Sequence, residues 1–334
     1  MIQTPTTTAA GRRRFLGATA AAAATLPFGR VYAADTWPSR QLEVIVAYVA
    51  GGQGDLFARL IGERLSRALG QTNVVENRPG GSGALGARLV AKAKPDGYTL
   101  LLGQTGEMAV NASVMREPGY DTQKDFRAVA LVGDAPLVMG APANAPYNTI
   151  TELLDFARKN PDAVSYGSSG TATPGHLAAA ALALATKTNM THVPYKGGGQ
   201  AITDLIGGHV QFFFSSPSAI LPQVKGGLLK ALAVSAPHRM PALPNVPTVA
   251  EAAVPGFEFS LWGGYFAPRA TPDAIVVRLN SEINKILVDP EIHARLVNES
   301  SAITPISAAQ FDAFVKAEGE KYARIVKAAG VHID

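Results

Sequence analysis

After Trp37 the chain keeps repeating one unit: a short apolar run, a glycine- or serine-rich loop, then a helical stretch. Units of that kind bury their apolar faces by pairing the runs into a mostly parallel sheet with helices packed on it. The first run, Leu42–Tyr48, is apolar nearly throughout, as a strand covered on both faces must be. The loop Ala50–Gly54 follows. Asp55 then stands as the N-cap of a helix with the face Phe57, Leu60, Ile61, Arg64, Leu65 and Ala68, which ends at Gly70.

The pattern continues along the chain. Strands are expected at Asn73–Val75, Tyr98–Leu102, Ala128–Val132, Leu137–Ala141, Val164–Tyr166, Thr191–Pro194, Val210–Phe214, Leu229–Val234 and Phe257–Phe266. Helices are expected at Ala84–Ala93, after the loop Gly103–Gly106, up to Lys159 behind a Thr149/Glu152 capping box, at His176–Ala185, up to Ile206, at Pro272–Val288 and at Ala308–Ala329. Residues 237–247 carry Pro237, Pro241, Pro244 and Pro247 and read as a rigid surface excursion.

The N-terminus differs from all of this. Arg12-Arg13-Arg14 precedes a weakly apolar run from Ala18 to Leu26, and Val31-Tyr32-Ala33 supplies a small-residue cleavage pattern. These parts make a signal peptide cleaved near Ala33 and a periplasmic mature protein. The run is too short for a membrane span, which needs about 20 apolar residues. Arg12-Arg13 with Phe15-Leu16 is similar to a twin-arginine signal; a general secretory signal is the other route. The chain has 30 Lys+Arg and 26 Asp+Glu. Residues 1–33 hold four of the arginines and no acid, so the mature part is balanced at 26 and 26. A nucleic-acid partner is not expected without a basic excess. With no cysteine there is no thiolate chemistry, and about 300 residues bury enough apolar surface without disulfides.

The loops that leave strands for helices share one chemistry. Gly51-Gly52-Gln53-Gly54-Asp55, Gly103-Gln104-Thr105-Gly106, Gly167-Ser168-Ser169-Gly170-Thr171 and Ser215-Ser216 are small, polar and, Asp55 apart, uncharged. Free N–H groups at helix starts attract anions, and ligands of open α/β sheets sit at the carboxyl ends of the strands. Tight connections alone would also use glycine and serine, so it is the recurrence that points to an anion site.

Enzyme signatures are poor. Gly81-Ser82-Gly83-Ala84-Leu85-Gly86 fits a dinucleotide pattern, but it stands alone, in a chain expected outside the cytoplasm. No nucleophile elbow surrounds Ser82, Ser168 or Ser169. The six histidines are scattered; His176, beginning a helix beside a polar loop, is the one placed near candidate chemistry. No metal and no cofactor are expected.

The runs Val75–Gly80, Pro95–Leu100, Tyr166–Gly170, His192–Gly197 and Leu243–Glu251, in that order, resemble the Bug-type (TctC-like) receptors, the substrate-binding components of tripartite tricarboxylate transporters. The resemblance covers residues 37–330. It implies an α/β, two-domain periplasmic-binding-protein fold of type II, with the ligand in the cleft between domains. Domain 1 would comprise residues 34–136 and 261–334, and domain 2 residues 137–260. The implied ligand contacts are Tyr48, Ala50, Gly51, Gly52, Asp55, Gln104, Thr105, Gly106, Ser168, Ser169, Thr173, Tyr195, Gly198 and Ser215. The implied ligand is a small organic carboxylate, the implied partners are membrane permease subunits, and the receptor is expected as a monomer. Val49-Ala50 replaces the family's Pro-Pro, and Ser215 stands where many members carry an aspartate. A sensory protein presenting a carboxylate to a membrane kinase would use the same pocket, and an exported hydrolase is the third class.

Overall fold

Two five-stranded sheets with one shared topology organise the described residues, which in this computed structural model are 37–195, 197–298 and 302–332. The signal peptide expected at residues 1–33 and Lys196 lie outside them. The first lobe begins β1 (Leu42–Val46), α1 (Gln53–Leu69), β2 (Asn73–Asn77), α2 (Ala84–Ala91) and β3 (Thr99–Gln104). A π-helical turn, Gly106–Val110, runs into α3 (Asn111–Val114), and α4 (Thr122–Asp125) precedes β4 (Phe126–Pro136). The second lobe holds β5 (Val138–Pro142), α5 (Ile150–Lys159), β6 (Ser165–Ser168), α6 (Pro174–Thr186), β7 (Thr191–Pro194), α7 (Gly198–Ile206), β8 (Phe212–Ser215), α8 (Pro217–Lys225), β9 (Leu229–Val234) and α9 (Val249–Ala252). The chain then re-enters the first sheet as β10 (Ser260–Pro268) and ends with α10 (Asp273–Leu287), α11 (Pro290–Asn298) and α12 (Ala308–Ala329).

The strand orders are β2-β1-β3-β10-β4 and β7-β6-β8-β5-β9. Four of the five strands in each sheet run in one direction, in agreement with the α/β expectation, and β10 and β5 run antiparallel to both of their neighbours. The mostly parallel reading thus holds in strand direction, with one reversed strand in each sheet. The antiparallel strand in each sheet is the one that arrives from the other lobe.

Register fixes how the lobes face. β4 ends beside the carboxyl end of β3: Gly263 of β10 pairs with Gln104 on one side and Gly133 on the other. One residue later β5 begins, with Val138 opposite Ser215, the carboxyl end of β8. The return crossover leaves Val234, also opposite Val138, and enters β10 at Ser260, opposite Pro136. Both crossovers therefore join the carboxyl ends of the two sheets, and the strand-to-helix loops of each lobe open toward the same joint.

Buried Ser235 pins the joint. Its Oγ accepts from Leu137 N–H at 2.8 Å and donates to the Phe259 carbonyl, while its own N–H donates to Leu137 O at 2.9 Å. Behind the joint α12 packs on β4 and on α6, Trp262 Nε1 donates to Glu318 Oε2 at 3.1 Å, and the Phe259 and Tyr322 rings meet edge-on at 6.0 Å.

Several local expectations need correction. The N-cap of α1 is Gly52, not Asp55: Gly52 is extended, and Asp55 lies inside the first turn. Gly103 and Gln104 belong to β3, because a bare Cα at Gly103 lets Met108 and Phe266 pack against the strand. The first strand stops at Val46. Residues 126–136 form one long strand through Gly133-Asp134 rather than a run ending at Val132. Thr149 caps α5 by accepting from Glu152 N–H, but the Glu152 carboxylate accepts from Asn148 N–H, so the box is only half formed.

Candidate functional site

Helix capping separates two kinds of helix. Side chains cap α4 (Asp121), α5 (Thr149), α9 (Thr248) and α12 (Ser307), each accepting from the first-turn N–H groups. The helices that leave the parallel strands at the joint are α1, α2, α6, α7 and α8. Their N-caps are Gly52, Gly83, Thr173, Gly197 and Ser216, and none makes a side-chain cap hydrogen bond. The first N–H groups of α1 and α6 are left for another acceptor, whereas α2 closes on its own turn, Ala84 N–H donating to Gly81 O at 2.9 Å and Leu85 N–H to Gly80 O at 3.2 Å, and in α8 Ala219 N–H donates to Ser216 O at 3.1 Å. A missing cap alone does not mark a site, since α10, at the far end of its sheet, lacks one too. Five uncapped starts at the joined ends of two sheets form a field that favours an anion.

In the first lobe the loop Val49–Gly52 is exposed, and Gly51 adopts φ 86°. Asp55, although buried, does not offer its charge to the joint. Its Oδ2 accepts from Gly51 N–H at 3.0 Å, and Arg59 pairs with it at 2.9 Å. Burial raises the Asp55 pKa, but the bonds from Arg59, Gly51 and Asn77 outweigh burial and hold it below the usual carboxylate value. Asp55 thus shapes the loop. Gln104 is half-buried and stacks its amide over Gly54, where no Cβ would fit. Gln53 Nε2 donates to Leu261 O at 3.1 Å, tying this loop to β10. Thr105 is buried, and its hydroxyl accepts from Trp262 N–H at 2.9 Å, so it too anchors to the crossover strand. Gly106 leaves space for Tyr48: a Cβ there would lie 2.5 Å from the Tyr48 hydroxyl.

In the second lobe Ser168 is fully buried. Its hydroxyl donates to Gly170 O at 2.9 Å, accepts from Gly170 N–H at 3.2 Å and meets His192 Nε2 at 2.7 Å. Since the Ser168 proton goes to Gly170, His192 donates from Nε2. His176 Nδ1 accepts from Ala172 N–H at 2.9 Å, so its proton is on Nε2. The two imidazoles stack face to face at 3.6 Å and 5°, with Tyr166 against His192 at 5.2 Å. Burial, and for His176 also the adjacent ring, pushes His176 down to about 3 and His192 to about 4. A neutral histidine pair thereby fixes both ends of the loop 168–172.

Ser169 and Thr173 are half-buried beside that loop. Gly198 lies against it: its missing Cβ would sit 3.4 Å from Ser169 Oγ and 4.0 Å from Ser215 Oγ. Tyr195 N–H donates to Ser168 O at 3.0 Å, and its hydroxyl donates to Asp204 at 2.8 Å. The structure thus gathers Ser169, Gly198 and Ser215 in one place, and Tyr48, Gln104 and Gly106 in another. Asp55, Thr105 and Ser168 serve instead as internal supports. The glycines of the dinucleotide-like motif also have structural work: Gly86 lets α2 approach Ala47 of the first lobe, and Gly83 makes room for Tyr48 and Glu107.

Three residues escape a reading of the sequence. Ser235 holds the joint, His192 completes the stack, and Glu107, fully buried in the π-helical turn, ties the first-lobe loops together. Among the described residues no group of three or more His, Cys, Asp or Glu could hold a metal, and no helix is long and apolar enough to cross a membrane.

Two lobes of one topology, joined at their strand ends by two crossovers, define a two-domain solute-binding fold of the periplasmic type. The family model described as "Tripartite tricarboxylate transporter family receptor" matches residues 57–331. A protein of Pseudomonas sp. (strain P51), described as "UPF0065 protein in tcbD-tcbE intergenic region", is 41% identical over 283 residues, 84% of each chain. The solved structure of R. palustris Rpa4515 with adipate superposes with TM-score 0.82 at 35% identity, covering 89% of this chain and 99% of that one. MatC (Rpa3494) from Rhodopseudomonas palustris with bound malate gives 0.78 at 30%, covering 86% and 99%. The chain belongs to the tripartite tricarboxylate transporter receptor family, the Bug-type receptors that its motifs resemble. The family is one of receptors rather than of enzymes.

Proposed function

We propose that this protein is an exported receptor that closes its two lobes around a small organic carboxylate and delivers it to membrane permease subunits. The observation that carries the reading is the set of five uncapped helix starts at the joined carboxyl ends of the two sheets. Each helix end favours an anion by about 0.3–1 kcal/mol. Loops from both lobes meet the ligand only when the lobes approach, so the ligand has a higher affinity for the closed state and drives closure. The first lobe comprises residues 34–136 and 261–334 and the second residues 137–260, so the lobes part at the two crossovers. The contacts are backbone N–H groups of Ala50, Gly52 and Gly198 with the side chains of Tyr48, Gln104, Ser169, Thr173 and Ser215. Adipate and malate in the relatives support a carboxylate. The absence of an acid at Ser215 favours a ligand without an amino group.

The test is a thermal-shift screen over di-, tri- and aromatic carboxylates, followed by calorimetry. A ligand at 100 times its Kd stabilises the folded protein by about 2.7 kcal/mol. A panel that includes adipate and malate and yields no shift would reject the reading. Delivery to a permease, rather than to a sensor kinase, is tested by ligand uptake in cells carrying the receptor with and without the small and large permease subunits.

A further inference from the structure

Glu107 is an ionisable group to which the site description gives only a structural part. Its side chain is fully buried, yet only Oε1 has a partner, accepting from Gln104 N–H at 2.7 Å; Oε2 makes no hydrogen bond. Oε2 lies 3.1 Å from the place a Cβ on Gly83 would take, and the Tyr48 hydroxyl lies 3.0 Å from the same point. Around this carboxyl sits one network. Tyr120 OH donates to Glu107 O at 2.6 Å, Asn111 Nδ2 donates to Ser82 O at 2.9 Å and approaches Tyr120 OH at 3.2 Å, and Tyr48 OH donates to Ser82 O at 3.4 Å. The loops that begin at Tyr48, end at Gly83 and begin at Gln104 therefore all close on Glu107.

The charges facing it are few. From the first loop comes Tyr48 and from the segment after α3 comes Tyr120, both raised by burial and by Glu107 itself. From α2, Arg88 is engaged with Pro118 O at 3.1 Å. From α12, which packs on the same turn, Glu318 is held by Lys321 and Trp262. Among the described residues no cation pairs with Glu107. An anion received by these loops brings a second negative charge beside Glu107, and among the described residues of the first-lobe loops no cation is left to balance it, because Arg59 is committed to Asp55 and Arg78 to Glu76. Two uncompensated anions in a low-dielectric region do not both stay ionised; one is neutralised by a proton.

We propose that Glu107 is a proton-binding residue of the ligand site, and that the receptor takes up a proton on Glu107 when it takes up a carboxylate. This rests on the carboxylate reading above and adds a second bound species to it. The proton comes from water and settles on Oε2, the oxygen without a partner, from which it can be donated toward the Tyr48 hydroxyl. The carboxyl is poised for this, since burial raises its pKa to about 7 against the lowering effect of the hydrogen bond it accepts from Gln104 N–H. At that pH about half of the unliganded molecules carry the proton, so uptake approaches about half a proton per ligand, and affinity falls by up to about tenfold from pH 6 to 8.

The experiment has a ligand-free arm and a ligand arm. Infrared difference spectra of the unliganded protein should show a buried carboxylic-acid band that titrates near neutral pH and is missing in Glu107→Gln. Calorimetry with adipate or malate in buffers of different ionisation heat should then show proton uptake in the wild-type protein. Glu107→Gln should bind with little pH dependence from pH 6 to 8, whereas Asp134, also raised by burial, to about 6, is present in both proteins. The wild-type proton inventory needs no variant, so a misfolded Glu107→Gln leaves the proposal open to refutation. A tight carboxylate bound with no proton uptake, or with the same uptake in Glu107→Gln, overturns the coupling and leaves the receptor reading intact. An infrared band in the unliganded protein with no carboxylate bound by any assay overturns the receptor reading, and the coupling with it.

Discussion

The two lobes share a topology but hold their loops in place by opposite means. The first lobe uses ionisable groups: the Asp55–Arg59 pair under Gly51, and the lone carboxyl of Glu107 under Tyr48 and Gln104. The second uses neutral ones: the His176–His192 stack and the hydroxyl of Ser168. The same strand order can therefore carry two different responses to pH. A carboxyl whose folded pKa is raised stabilises the fold at low pH and loses that contribution as pH rises. A histidine whose folded pKa is depressed does the reverse: below its ordinary pKa the unfolded chain takes up protons that the folded chain refuses.

The largest expected effect is in the second lobe. His176→Ala removes a stacked ring and leaves Ala172 N–H without its acceptor, and should cost about 2–4 kcal/mol in urea unfolding at pH 7. A cost below about 1 kcal/mol would show that the stack is incidental. Next comes Glu107→Gln. The folded carboxyl titrates at about 7 against an ordinary 4.5, so its stabilisation is complete below about 4.5 and is lost as pH rises through 7. At pH 8 the variant should be more stable than wild type by on the order of 2–3 kcal/mol, and the advantage should vanish near pH 4.5.

The acid limb should come third. His176 and His192 are depressed to about 3 and about 4 from an ordinary 6.5, so stability should fall as pH drops from 6.5 toward 4. Allowing for the partial exposure of His192, this amounts to about 1–2 kcal/mol by pH 4.5, and His192→Asn should make it shallower while leaving the His176 share. A wild-type protein with a flat profile there would erase the contrast between the lobes. The smallest effect is on binding: Ser169→Ala, at a half-buried hydroxyl, should weaken a carboxylate by about 0.5–1.5 kcal/mol, without changing the unfolding midpoint of the unliganded protein.

How much of this could be read from the sequence depended on distance along the chain. Leu229–Val234 and Ala308–Ala329 were legible to the residue because apolar spacing and a closing Gly330 are local signals. Gly133-Asp134 looked like a break, yet β4 runs through it, since β10 pairs along its whole length and a bulge absorbs the irregularity. α8 was hidden by Pro217 and Pro222, although proline at the first helical position is well tolerated. α11, opening on Pro290, was missed as well. The polar loops of the site announced themselves through composition. Their supports did so only in part: His176 stood out at a helix start beside a polar loop, but its partner His192 stands on a different element, and Glu107 looks like an ordinary first-turn residue until Tyr48 and α12 cover it. Asp55 read as an N-cap and as a ligand contact because its partnership with Gly51 depends on a loop conformation that no spacing rule encodes.

Closure of the lobes on a shared ligand is the claim on which the rest depends, and small-angle X-ray scattering tests it most directly. With adipate or malate at a concentration shown by calorimetry to saturate the protein, the radius of gyration should fall below that of the unliganded receptor. A radius that stays constant while the site is demonstrably full would contradict closure, and would place the carboxylate on one lobe alone.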